Sequence, residues 1–428
     1  MAVLAERERR ARVCGVSGLQ PSRTAPAVIS GLWIAFFLWG MAPGYYTPAI
    51  PNILKAKGLG SEWLSLAFLA GPVASMVSPL IIGALADNRF AAQRVVGCIG
   101  ILSSIFLANA FAVLDRGGNP MLFICLLACS SIVAAPMSSM LASIAMSHLR
   151  SGEAEFPIVR LGGTLGWMAA GYITSFVLFA DASPKAGYAA AITRCTCGIF
   201  SFFLPNTPPL GNSRSLRTLL GLDAFRLLRE RDHLVFFSVT TLLSIPLAAF
   251  FMHTPMHLSA LGNETPTATM TIGQISEIGA MLLMSVVMTC FRVKTVLMFA
   301  LGLSALRYFL FSIAGVTGGT SWLIGGIALH GLCYTLYFIT GQLFLDRRVE
   351  PEMRSQAQGL LSLVSNGVGS VIGTLLSVRL HDFTVGAGHG GWATYWFVQG
   401  ACIAICLPIL MIFYHGIATS APRPESKA

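Results

Sequence analysis

The sequence predicts an all-α membrane protein of twelve transmembrane helices arranged as two six-helix bundles, and three observations predict it. The 428-residue chain is 55% hydrophobic and only 11% charged, with a mean hydropathy of +0.72, whereas soluble domains carry roughly a quarter of their residues charged. Apolar runs of about 20 residues, the length that crosses a hydrocarbon core, recur along it. They fall six and six about a polar connector at 205–232. Repeat-built secondary transporters share this plan, with the substrate between the halves near the midplane.

Taken in order, residues 1–26 form a polar tail rich in arginine (Arg7, Arg9, Arg10, Arg12, Arg23) with no apolar segment of its own. It reads as a cytoplasmic tail and not as a cleaved signal. The runs of the first bundle, 27–204, lie at 27–50, 62–86, 94–113, 121–146, 157–180 and 187–204. Those of the second, 233–414, lie at 233–256, 269–291, 295–315, 320–344, 356–379 and 392–414, before a short tail at 415–428.

The net charge of +10 would suggest nucleic acid in a soluble chain. Here the basic residues sit in short loops between apolar runs, where they set orientation, so no nucleic-acid partner is expected. Arg94, Arg150, Arg226, Arg231, Lys294 and Arg348 fall on the side of the tails, against only Lys55, Lys57, Arg116, Lys185 and Arg379 on the other. Both termini are therefore expected in the cytoplasm and the protein in the cell (inner) membrane. Trp63, Trp322, Trp392 and Trp396 at outer span ends agree. Of ten cysteines, eight lie within or at the ends of apolar runs and read as small core residues.

The fifth span opens Arg160-Leu161-Gly162-Gly163-Thr164-Leu165-Gly166-Trp167. At 3.6 residues per turn, Arg160, Thr164, Trp167 and Gly171 share one stripe while Gly162 and Gly166 face away. The bare face lets a neighbouring helix approach closely, and the arginine stripe must meet water, protein or a ligand because lipid would not tolerate it. After span two, Gly83-Ala84-Leu85-Ala86-Asp87-Asn88-Arg89 resembles the inter-span signature of the major facilitator superfamily. Gly83 suits tight packing, and Asp87 with Arg89 suits a cytoplasmic gate latching nearby helix ends. No glycine-rich phosphate loop is present, so the machinery of ATP-driven transport is missing.

Further stretches narrow the resemblance: Leu219-Leu220-Gly221-Leu222-Asp223-Ala224-Phe225 in the connector, Gln274-Ile275-Ser276-Glu277 in span eight, and Ala357-Gln358-Gly359 before Asn366-Gly367 in span eleven. Together with 160–167 they resemble the nucleoside:proton symporter family within that superfamily, from about Trp33 to Tyr414. The resemblance implies a nucleoside site formed by Arg160, Thr164 and Trp167 of span five, Gln274 and Glu277 of span eight, and His330 and Tyr334 of span ten. Tyr337 falls on the same stripe as the last two. The partners implied are a nucleoside, a proton and the bilayer; no metal or other cofactor, no catalytic residue and no enzyme activity is expected, and the protein is expected to be a monomer.

The chemistry fits. Sugar hydroxyls donate and accept, so a carboxylate, an amide and a guanidinium can hold them, while a base offers its flat face to Trp167 or Tyr334. Proton coupling needs a carboxylate whose charge is costly in a closed site, and Glu277 is the acidic residue placed mid-span for it. Plainer roles stay open: Arg160 snorkelling to headgroups, Glu277 pairing structurally with mid-span Arg307, His330 as a neutral core histidine, and the aromatic rings as packing. His253 and His257, four apart, lack a third metal ligand. Where family members carry a polar Gln and Asn on span seven, this chain has Pro246-Leu247-Ala248-Ala249-Phe250-Phe251, and Thr335 stands where some place an Asp. Arg194 in span six has no evident acidic partner. A proton-coupled sugar symporter and a transport-dead receptor are the alternatives, although the loops are too short for an output domain.

Overall fold

The computed structural model describes residues 24–86, 90–150, 152–208, 222–349 and 354–416, and these are almost wholly helical. Twelve long segments alternate in direction. In the first half these are α1 (Pro26–Ala56), α2 (Ser61–Ala86), α3 (Ala92–Asp115), α4 (Pro120–His148), α5 (152–177) and α6 (Lys185–Ser201). In the second they are α7 (Arg231–Ala260), α8 (266–290), α9 (Val293–Thr317), α10 (320–348), α11 (354–386) and α12 (Gly391–Phe413). Eight are long and apolar enough over their described residues to cross a membrane, and α2 contributes a shorter apolar stretch, Ser61–Val77. The others are α5, α6 and α8. Two of these three, α5 and α8, carry the predicted charged and amide residues, which lower their hydropathy.

Within the first half α1 packs along α5, and α3 packs against α4 and α6. Within the second, α9 runs along α12, α7 lies against α11 and α12, and α8 meets α10. The α1–α5 crossing shows what the bare face of α5 is for. A Cβ on Gly166 would fall on the carbonyl of Phe37, and one on Gly162 would stand 2.6 Å from the carbonyl of Trp33. Only glycine lets these two backbones touch. Prolines break the regular ladder elsewhere: α1 bends between Tyr46 and Ile50 around Pro48, and α4 between Ala134 and Met137 at Pro136. Wide π turns interrupt α10 at Thr335–Ile339 and α11 at Leu363–Gly369.

The seam between the halves differs at its two ends. At the end away from the termini, Ser61 Oγ donates to Asp382 Oδ2 (2.8 Å), Thr267 N to Asp181 Oδ1 (2.8 Å), Ala268 N to Ser175 Oγ (3.0 Å) and Asn52 Nδ2 to the carbonyl of Pro255 (3.5 Å). Among the described residues, the hydrogen bonds between the halves all lie at this distal end. The apolar core repeats the pattern. The distal cluster of the first half, around Ile53, Leu107 and Phe123, takes in Met252 and Val378 of the second, while the cluster at the terminal end, around Leu32, Val96 and Ile144, takes in none. Of the expected gate, Gly83 closes the last turns of α2, and Asp87 and Arg89 lie outside the described residues.

Candidate functional site

The stripe on α5 faces α8, as its spacing requires. A Cβ on Gly171 would meet the Thr271 methyl and the carbonyl of Thr267. Arg160 is exposed, Thr164 and Trp167 are half-buried, and Arg160 acts electrostatically on Glu277 and on Tyr334. The carboxylate of α8 and the phenol of α10 thus lie across the seam from the guanidinium of α5, within range of its charge.

Glu277 is set in place by the α8–α10 crossing. Gly331 of α10 lies so close that a Cβ there would fall on the Glu277 backbone, and the Gly331 amide donates to Ser276 Oγ at 3.1 Å. The two helices therefore hold the carboxylate and Tyr334 in a fixed relation. Gln274, one turn earlier, is buried, and its amide is satisfied when oriented with the nitrogen toward the carbonyls of Thr271 (3.3 Å) and Met270 (3.2 Å). That leaves its oxygen as the group free to accept.

Arg307 is not the partner of Glu277. Its Nη1 lies 2.5 Å from His330 Nδ1, its Nη2 donates to the Tyr308 hydroxyl (2.7 Å), and its guanidinium stacks over the rings of Phe250 (4.7 Å) and Tyr308 (4.5 Å). An arginine can only donate, so Nδ1 of His330 accepts and the ring proton sits on Nε2. His330 is itself buried, stacked on Phe250 at 4.3 Å, edge-on to Phe251 at 5.6 Å and 6.0 Å from Tyr334. Tyr337 leaves the stripe. Its hydroxyl shares a hydrogen bond with Thr240 (3.0 Å) and its ring stacks on Phe236, because the π turn at Thr335–Ile339 shifts its register toward the bundle core.

Beside this group lies a cavity of about 210 Å³ between the halves, walled by α1, α2, α4, α7 and α11. None of the predicted site residues lines it. Phe251 joins the two regions, lining the cavity and packing edge-to-face on Trp167 at 6.3 Å. The span-seven departure therefore falls on a wall of the cavity, where Ala248 and Phe251 stand. Sequence reasoning passed over this hydroxyl-lined space because serine and threonine are ordinary in spans. It also missed the Arg307–His330 pair, which two polar residues in adjacent spans could have signalled. Arg194 acquires a partner: its Nη1 donates to Ser130 Oγ (2.8 Å), which donates in turn to the carbonyl of Ser103 (2.8 Å). His253 and His257 bond to Tyr395 (2.7 Å) and Trp396 (3.0 Å) of α12 and read as core.

A family model described as "Nucleoside H+ symporter" matches residues 28–418. The putative nucleoside transporter YegT of Escherichia coli (strain K12) is 30% identical over 90% of this chain and 92% of its own. The nucleoside permease NupG of the same organism is 25% identical over 89% and 94%. A crystal structure of a NupG variant superposes with a TM-score of 0.83 at 23% identity, covering 91% of this chain and all of that one. The chain belongs to the nucleoside H+ symporter family and has its twelve-helix major facilitator fold: it is a membrane transporter, not an enzyme.

Proposed function

We propose that the protein imports nucleosides with protons across the cell (inner) membrane by alternating access, with both termini in the cytoplasm. The bundles 27–204 and 233–414 rock about a substrate held by Arg160, Thr164, Trp167, Gln274, Glu277, His330 and Tyr334. The observation that carries this reading is the α8–α10 crossing at Gly331, which sets Glu277 and Tyr334 together across the seam from Arg160, within range of its charge. Opposite charges that face each other between two movable bodies stabilise one arrangement until a ligand or a proton changes the balance. A proton on Glu277 leaves Arg160 free to bond the sugar, and its inward passage yields about 2.3 kcal/mol per 100 mV.

Orientation is supported by the excess of basic residues on the side of the tails. The distal latch and the exposed Arg160 suit a chamber closed outside and open to the cytoplasm, with Gly83, Asp87 and Arg89 as the opposing gate. Counterflow of labelled uridine in proteoliposomes, with and without a pH gradient, tests the whole. Exchange without a gradient and accumulation with one is expected; exchange of neither uridine nor adenosine would reject the nucleoside. A sugar symporter is the second reading, favoured by the apolar stretch 246–251 in α7. Competition by free ribose or a disaccharide but not by uridine would establish it.

A further inference from the structure

Hydroxyls in membrane helices usually satisfy themselves by donating to a carbonyl one turn back. Thr240, Ser244 and Ser365 do so here, to Phe236, Thr240 and Leu361 at 2.7–2.8 Å. Of the aliphatic hydroxyl residues that line the central cavity, Ser370 donates to the carbonyl of Ser365 (2.9 Å), and the other three do not bond in this way. Thr47 of α1, Ser131 of α4 and Thr374 of α11 have no hydrogen-bond partner within the described residues, and Thr374 is only 1% exposed. They come from three helices and both halves, and no charged side chain lines the space between them.

Around these hydroxyls the walls are flat and apolar, with the rings of Phe68 and Phe251 among them. Whole-ligand pockets run to roughly 300–1,000 Å³, so a cavity of about 210 Å³ takes part of a nucleoside and not all of it. The part is set by chemistry. A sugar has no flat face to offer and several hydroxyls to bond, which suits the Arg160–Glu277–Tyr334 group. A base has two π-faces for aromatic and apolar walls and an edge with a few donors and acceptors. A hydroxyl can serve either kind of edge group by turning its proton.

Building on the nucleoside reading above, we propose that this cavity is the nucleobase subsite, and that Thr47, Ser131 and Thr374 read the base edge where α7 offers no side-chain amide. Phe251 is the hinge of the arrangement, with the base on its cavity side and the sugar toward Trp167 and Glu277. Because rotating hydroxyls accept keto and amino groups alike, the subsite admits both purines and pyrimidines and grades them by fit.

The test is binding of uridine, adenosine and methyl β-riboside, a nucleoside without its base, to the purified full chain and to Ser131→Ala and Thr374→Val. Loss of a hydroxyl bonded to a base edge weakens binding about tenfold. The expected result is at least about fivefold weaker binding of uridine, adenosine or both in one or both variants, with methyl β-riboside unchanged. Thr374→Ser, which keeps the hydroxyl, restores wild-type affinity and separates its loss from repacking. Unchanged affinity for both nucleosides in both variants, or equal weakening of the riboside, overturns the subsite while leaving the nucleoside reading intact. Failure of the wild-type chain to bind either nucleoside sinks both.

Discussion

The two flanks of the seam solve the same problem with different materials. On the α5–α8 flank, a carboxylate and a phenol, held together by backbone contacts at Gly331, lie within range of a guanidinium from the other half. On the α2–α11 flank, reached through α1, α4 and α7, the polar atoms are hydroxyls scattered over apolar walls. Charges inside a membrane are costly unless answered, so the first flank is built for strong, state-dependent interaction. Hydroxyls cost little either way, so the second is built for tolerance. Coupling belongs on the first and graded selectivity on the second.

The largest effect should come from the helix crossing that carries the charged flank. Gly166→Leu puts a side chain onto the backbone of Phe37, and overpacking of that kind costs about 3 kcal/mol. Thermal unfolding in detergent should show a large loss, with little folded transporter recovered. Gly71→Ala is the counterpart on the other flank, where a Cβ meets nothing within 4 Å. Its stability should match wild type or exceed it by up to about 1 kcal/mol, since alanine is the better helix former and meets no clash. Equal stabilities for the two variants would break the comparison.

Next in size is the split between exchange and accumulation. Glu277→Gln keeps the shape of the side chain and a polar head but can neither take up nor release a proton. Counterflow should persist while gradient-driven accumulation falls by about tenfold or more, since the gradient's work of about 2.3 kcal/mol per 100 mV is no longer harnessed. Concentrative uptake at the wild-type level would move the proton to another group. Arg160→Lys should act on affinity and not on coupling: the charge stays near Glu277, but the planar fork is lost, and nucleoside binding should weaken about tenfold at unchanged proton dependence.

These differences also explain what the sequence made legible. Arg160, Gln274 and Glu277 stand out because a polar residue in a span needs a reason; period puts Arg160 on one stripe with Thr164 and Trp167 in α5, and Gln274 with Glu277 on one face of α8. The glycine face of α5 was legible for the same reason, and the crossing with α1 uses it as expected. Tyr337 was not, because a π turn leaves no mark in a run such as Thr335–Ile339 and rotates the register by an amount that helical spacing cannot anticipate. The hydroxyl cavity was invisible too. It is assembled from α1, α2, α4, α7 and α11, and only the tertiary packing separates Thr374 with its free hydroxyl from Thr240 with its satisfied one.

The smallest predicted effect concerns the distal latch, which belongs to neither flank and ties them together. Ser61 at the start of α2 bonds Asp382 near the end of α11, with His381 Nδ1 3.7 Å from the same carboxylate. The Asp382 side chain is half exposed, so a single hydrogen bond to it is weakened by competing water. Ser61→Ala should loosen the closed distal end by about two- to fivefold, the worth of one solvent-accessible bond to a charged group. Hydrogen exchange of the amides in the first turn of α2 and the last turns of α11 reads this directly. Faster exchange at both places, with exchange around Glu277 unchanged, is the expected result. Unchanged exchange at both would assign closure to the apolar contacts of Met252 and Val378 with the first half, and Met252→Ala should then produce the loosening that Ser61→Ala did not.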